Sequence, residues 1–240
     1  MTSGPTGRKR LTLLAGLCLS CAAAHAQEVD LNLGLSSALL VRGVALGNAR
    51  PALQGGVSVS TADGWLVSLG VAALRPSADE GWTEQVHARL GHAFRLDDDW
   101  SAQVAAVHYA YPFDDYLRPF ERDELGATLA WRDQVFASVT GLRQARLPAS
   151  GHRGSIAWDL VLRQPLGRWG DRSLALGAGL GHLDPQHRPG ASYTYGHLGL
   201  SGRIGEVQLD LSRVVTDSRA RERFGAAADS RWVASLGIAF

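Results

Sequence analysis

The sequence predicts an all-β protein, an antiparallel transmembrane β-barrel of about twelve strands with short periplasmic turns and longer extracellular loops. Three observations carry that prediction. The chain opens on an export-type leader and has no later apolar run long enough for a membrane helix. Its apolar residues alternate with period two, and the connections between alternating segments are long and short in turn.

The leader has three parts. Arg8, Lys9 and Arg10 make a basic start, Leu11 to Leu19 a short apolar run, and Ala24-His25-Ala26 a small-residue cleavage motif. Residues 1–26 are expected to form a cleaved signal peptide and residues 27–240 the barrel, located in the outer membrane. Both cysteines, Cys18 and Cys21, lie in the leader, so the exported chain has no thiol chemistry. A lipoprotein signal is the competing reading, but the residues before either cysteine fit a lipobox poorly. Removing the three basic leader residues leaves 21 basic against 23 acidic residues and no lysine. No basic stripe with interleaved aromatics exists, which argues against nucleic acid as a partner.

Period-two patterning is clearest in three segments. Trp65, Val67, Leu69, Val71 and Ala73 share one face, and Ser68 and Gly70 share the other. Leu174, Leu176, Ala178 and Leu180 oppose Gly177, Gly179 and Gly181, while Trp232, Ala234, Leu236, Ile238 and Phe240 line one side of the last segment. The strands predicted in order are 30–42, 51–61, 65–74, 82–94, 100–111, 123–131, 135–146, 155–165, 173–182, 193–204, 207–216 and 231–240. Most have the length that a tilted strand needs to cross a bilayer.

Long connections fall at 43–50, 75–81, 112–122, 147–154, 183–192 and 217–230. Short ones fall at Ala62 to Gly64, Arg95 to Asp99, Arg132 to Gln134, Gly167 to Arg172 and Gly205-Glu206. A soluble sandwich has no reason to alternate in this way. Trp65, Trp100, Trp131 and Trp169 stand beside short turns, and Trp82, Trp158 and Trp232 follow long ones, as the two aromatic girdles of a barrel would. Phe240 ends the last alternating strand and is expected to serve as a signal for barrel assembly machinery.

Ser36, Arg42-Gly43, Pro51-Ala52 and Gln54-Gly55-Gly56 resemble the N-terminal signature of the TorF-type porin family, also catalogued as the Gcw_chp group of proteobacterial outer-membrane proteins. Tyr109-Ala-Tyr111-Pro112 and the closing Val233 to Phe240 strand fall where that family has a Tyr-Tyr-Pro-like strand end and a terminal Phe. Leu40-Val41 stands where the family has an aromatic before Arg-Gly, and this chain is poorer in tyrosine. The resemblance implies an outer-membrane porin with no established substrate. It marks Arg42, Gly43, Pro51, Gln54, Gly55 and Gly56 as family-motif positions.

If the apolar faces meet lipid, the other faces meet a lumen. Its expected lining is Asn32, Gln54, Gln85, His87, Arg89, Asp159, Arg163, His197, Arg203, Gln208 and Asp210. Such mixed polar groups suit passive passage of small solutes or ions. Lipid, lipopolysaccharide and assembly machinery are the other expected partners. Arg42 has two readings, an anion-attracting residue at the mouth, or an anchor for loop 43–50 or a lipopolysaccharide contact at the rim; the structural role is preferred.

A closed barrel acting through loops 112–122 and 217–230 is the alternative, and a barrel hydrolase the third reading. Serines are abundant and His87, His92, His108, His152, His182, His187 and His197 are present, yet Gly-x-Ser-x-Gly is absent and no Ser-His pair is recognisable. His182, Asp184 and His187 match no established metal spacing. No catalytic residue, metal site or cofactor is therefore assigned.

Overall fold

The computed structural model describes residues 26–46, 49–75, 81–114, 118, 121–144, 154–186 and 191–240. The expected leader lies outside this set except for Ala26, as do 147–153 of the fourth long loop and the centres of the second, third and fifth.

The strands are β1 (Ala26–Ser36), β2 (Leu39–Val41), β3 (Val44–Leu46), β4 (Ala52–Thr61), β5 (Trp65–Leu74), β6 (Thr83–Arg95) and β7 (Trp100–Ala110). They continue with β8 (Arg122–Trp131), β9 (Val135–Gln144), β10 (Gly154–Trp169), β11 (Arg172–Asp184), β12 (Tyr193–Ile204), β13 (Val207–Thr216) and β14 (Arg231–Ala239). All but β2 and β3 form one closed antiparallel barrel of twelve strands. Closure is made by β1 and β14, where Asn32 faces Ala239 and Ser36 faces Ser235. A closed ladder leaves no strand edge for lipid to expose, which an open sheet could not manage in a bilayer.

Antiparallel partners share a face, so the register sorts every strand into two sides. Leu31, Leu33, Val67, Leu69, Leu125, Leu180, Leu200, Leu211 and Leu236 fall on the outer side and are exposed. Trp65, Trp100, Trp131, Trp158, Trp169 and Trp232 all fall on the same outer side, at the levels expected of two girdles. The turns of the short-loop rim are tight. Arg132 and Asp133 adopt positive φ of 51° and 53°, and Arg132 Nε donates to Asp99 Oδ1 at 2.8 Å from the neighbouring turn. That hydrogen bond holds the Asp99 carboxyl below its ordinary pKa.

Two strands differ from the sequence prediction by more than two residues. The strand expected over 155–165 runs on to Trp169, because a register shift between Pro165 and Gly167 lets the ladder resume beyond the proline, which has no amide to donate. The first strand, expected over 30–42, begins at Ala26 and stops at Ser36. Ser37 then accepts from Ala234 N through its Oγ at 3.0 Å and donates its own amide to Ala234 O at 2.9 Å. Beyond it the chain leaves the wall, and β2 and β3 pair as a separate hairpin.

The last long loop, expected over 217–230 without regular structure, contains α1 (Ser218–Phe224), followed by a 3-10 turn over Gly225–Ala228. Asp217 caps α1 by accepting from Ala220 N at 2.9 Å, and Gly225 ends it at φ 57°. Ala220 and Ala228 are fully buried against Tyr193, with Val44, Leu183, Tyr195 and Phe224 around them. The first and last long loops thus meet in a small apolar core at one end of the barrel.

Candidate functional site

Hairpin β2–β3 turns at Arg42-Gly43, with φ of 49° and 80°. Positive φ at both central residues is what a two-residue hairpin turn needs, and Gly43 supplies one of them without strain. Space also dictates that glycine. A Cβ there would lie 2.7 Å from Tyr195 Cβ and 2.9 Å from Thr216 Cγ2. The hairpin is rooted between β1 and β4, and its tip presses on the inner face of β12 and β13.

Arg42 completes the crossing. Its NH1 donates to Glu124 Oε1 at 3.1 Å and its NH2 to Glu124 Oε2 at 2.8 Å, a bidentate pair on β8, across the barrel from β1. Arg122 Nε donates to Glu124 Oε1 at 2.7 Å, and the Arg122 guanidinium lies 3.9 Å from the centre of the Tyr109 ring. The Arg42 and Glu124 side chains are only 14% and 10% exposed, so this ion pair is largely withdrawn from water. Burial works against the Arg42 charge, but the Glu124 carboxylate outweighs it and raises the guanidinium pKa. Arg42 holds a left-handed backbone at a cost of about 1–2 kcal/mol, a strain sustained by the bonds its side chain makes. Arg42 stands inside the lumen, on the opposite side of the wall from lipid, so it makes no lipopolysaccharide contact at the rim.

The register puts each expected lining residue on the inner side. Asn32 faces Gly56 and Gly34 faces Gln54, whose Nε2 donates to Ser36 Oγ at 3.3 Å. On β6, Arg89 NH2 donates to Gln103 Oε1 at 2.6 Å, while His87 packs at a tilt against Tyr109 with centroids 5.7 Å apart. Gln85 is inward but 4% exposed, and its Nε2 donates to Tyr111 OH at 2.6 Å, so it packs the wall instead of lining open space. Asp159 accepts from Tyr195 OH at 2.5 Å, and Arg163 stands opposite Gly177. Gln208 Nε2 donates to Asp210 at 3.0 and 3.1 Å, Ser235 Oγ donates to the same carboxylate, and Arg203 stands opposite Gln208.

The glycines of β11 now have a spatial reason. A Cβ on Gly179 would lie 2.2 Å from His197 Cε1, and one on Gly181 would lie 2.3 Å from Tyr195 Cζ. Both rings lie flat on the inner wall because β11 presents no side chain beneath them. Sequence reasoning missed Arg122, Glu124 and Tyr195 as lumen groups. Parity carried the signal for the first two, since they alternate with Leu125, Ala127 and Leu129 on the outer side.

His182 and His108 fall on the outer side. His182 Nδ1 is 3.1 Å from Thr194 Oγ1. His152 and His187 lie outside the described residues. Among the described residues no three His, Cys, Asp or Glu side chains gather as a metal ion would need.

A model of a bacterial protein family of unknown function, Gcw_chp, matches residues 20–240. The chain belongs to the Gcw_chp family. No curated protein matches the sequence. Among solved structures, this Gcw_chp barrel is similar to the NanC porin at 14% identity, covering 89% of this chain and 99% of that one with a TM-score of 0.55. It is also similar to the KdgM porin at 8% identity, covering 88% and 98% with a TM-score of 0.52. At such identities the likeness shows a shared fold, the twelve-stranded barrel of outer-membrane porins.

Proposed function

We propose that this Gcw_chp barrel is an outer-membrane channel of the TorF porin type, passing small polar or charged solutes through a lumen narrowed by the latched first hairpin. The observation that carries this reading is the two-sidedness of the wall: mainly apolar outward on every strand, and inward a lining that includes Arg89, Asp159, Arg163, His197, Arg203 and Asp210. Arg163 and Arg203 make no ion pair with any described residue, whereas Asp159 and Asp210 are engaged by Tyr195, Gln208 and Ser235. Those donors are neutral and leave both carboxylates charged, but the named lining together with the Arg42–Glu124–Arg122 cluster holds five guanidinium groups (Arg42, Arg89, Arg122, Arg163 and Arg203) against three carboxylates, and that excess favours anions. Anionic solutes are accordingly the favoured class. A KdgM porin structure, similar at 7% identity with a TM-score of 0.50, is a complex with disordered oligogalacturonate.

The second reading is a closed barrel acting through its surface loops, and the apolar core joining the first hairpin to α1 favours it. Single-channel recording of the refolded mature protein in planar bilayers separates the two. Discrete conductance with anion preference is the expected result. Silence at all voltages, in the native chain and in a chain with the hairpin unlatched, would establish the closed barrel.

Residues 1–26 are proposed to direct export and Phe240 to direct assembly. Phe240 N donates to Leu31 O at 2.9 Å and Leu31 N to Phe240 O at 3.1 Å, so the last residue extends the closing ladder while its ring stays on the outer side. Deleting Phe240 is expected to cut the yield of heat-modifiable protein in the outer-membrane fraction. The native protein from that fraction should begin at Gln27 by N-terminal sequencing. Unchanged yield would remove the assembly role, and a retained leader would remove the export role.

A further inference from the structure

On the outer wall a transverse row of three charged or ionisable side chains interrupts the mainly apolar pattern. His108 on β7, Asp123 on β8 and Arg143 on β9 are successive cross-strand partners, all on the lipid side and all near the long-loop ends of their strands. His108 Nδ1 and Asp123 Oδ1 are 2.7 Å apart, and Arg143 stands next to Asp123 without an ion pair to any described residue. Two residues nearer the short-turn rim, the adjacent outer row is apolar: Leu90, Leu125 and Ile156, with the small Ala106 and Gly141 between them. The strand residues between these rows point into the lumen, so their outer side is bare backbone. The result is a furrow of about 960 Å³ running across the wall, polar along one bank and apolar along the other.

We propose that this furrow binds a phosphorylated glycolipid of the outer leaflet, the lipid A part of lipopolysaccharide. Long loops mark the extracellular side of a barrel, so the charged bank lies at outer-leaflet headgroup level, where a charge facing lipid costs about 0–1 kcal/mol. A phosphate there takes charge-assisted hydrogen bonds from Arg143 and from His108, whose Nε2 is left outward when Nδ1 donates to Asp123. Acyl chains then run toward the bilayer core over Ala106 and Gly141, the two gaps on either side of Leu125 and between Leu90 and Ile156. The outward side chains of the two banks include no hydroxyl or thiol nucleophile, so the His-Asp pair serves binding and not acyl transfer.

The test is native mass spectrometry of the detergent-purified, folded barrel titrated with bisphosphorylated lipid A and with its dephosphorylated form. One bisphosphorylated lipid A should be retained per barrel. Arg143→Glu should weaken its retention about tenfold, the effect of losing a charge-assisted contact. Gly141→Phe should weaken both forms, because a Cβ there meets only Leu125 O at 3.8 Å and the larger side chain occupies one of these gaps. Arg213→Glu is the control, since Arg213 also faces outward, near Trp232 on the far wall. Equal losses from Arg213→Glu and Arg143→Glu, or equal retention of both lipid forms by the native barrel, would overturn the proposal. Conductance does not enter this test, so its outcome is separate from that of the channel reading.

Discussion

Glu124→Gln should free the first hairpin from the lumen wall and open Arg42-Gly43 to trypsin. The native carboxylate accepts two bonds from Arg42 and one from Arg122, with little water to replace it. Removing one partner of a buried ion pair costs about 3–5 kcal/mol, chiefly because the other charge is left uncompensated. Here two guanidinium groups would be left facing a neutral amide. The strain of positive φ at Arg42 then has less to hold it, and the hairpin relaxes away from Tyr195 and Thr216. The expected readings are new tryptic cleavage after Arg42 and a larger single-channel conductance, with the barrel itself still folded. Arg42→Ala should reproduce the conductance change. If Glu124→Gln leaves Arg42 as protected as before and the conductance unaltered, the ion pair is not what holds the hairpin in place.

Leu176→Arg should be the most damaging single change on the wall. Leu176 faces lipid from the interior of β11, and arginine near the bilayer midplane costs about 2–4 kcal/mol in such barrels. Gly177, the next residue, faces the lumen beside Arg163, and nothing lies within 4 Å of a Cβ placed there. Gly177→Glu should therefore fold normally and lower the preference for anions, because it places a carboxylate next to Arg163. The check is urea unfolding in lipid vesicles for both variants, with ion selectivity measured on the second. Equal destabilisation at the two sites would mean that the two faces of β11 do not meet different solvents. Gly177 suits this test better than Gln85, which is inward but enclosed beneath Tyr111.

Most of the wall was legible in the sequence because a membrane barrel writes a local rule into every strand. Side chains alternate between two solvents, so Leu174, Leu176, Ala178 and Leu180 declare one face without knowledge of any partner. The long and short connections then fix the up-and-down order, since each short turn joins neighbouring strands. Parity also places residues such as Asp159, Arg163 and Arg203 on the inner side, for the same reason.

What lies inside the barrel is decided only by the tertiary structure. Leu39 to Arg42 continue the apolar alternation of β1 well enough to look like wall, and 43–50 reads as loop, yet Leu39 to Leu46 form an inner hairpin. Nothing local distinguishes the two outcomes, because an apolar strand suits lipid on one side of the wall and a packed plug on the other. The decision rests on contacts between residues far apart in sequence: Ser37 with Ala234, Gly43 with Tyr195 and Thr216, and Arg42 with Glu124, 82 positions away. The sequence by itself determined a two-faced strand repeat. Closing it into a cylinder brought a buried carboxylate within reach of Arg42, and only that closure turned an Arg-Gly turn into a latch across the lumen.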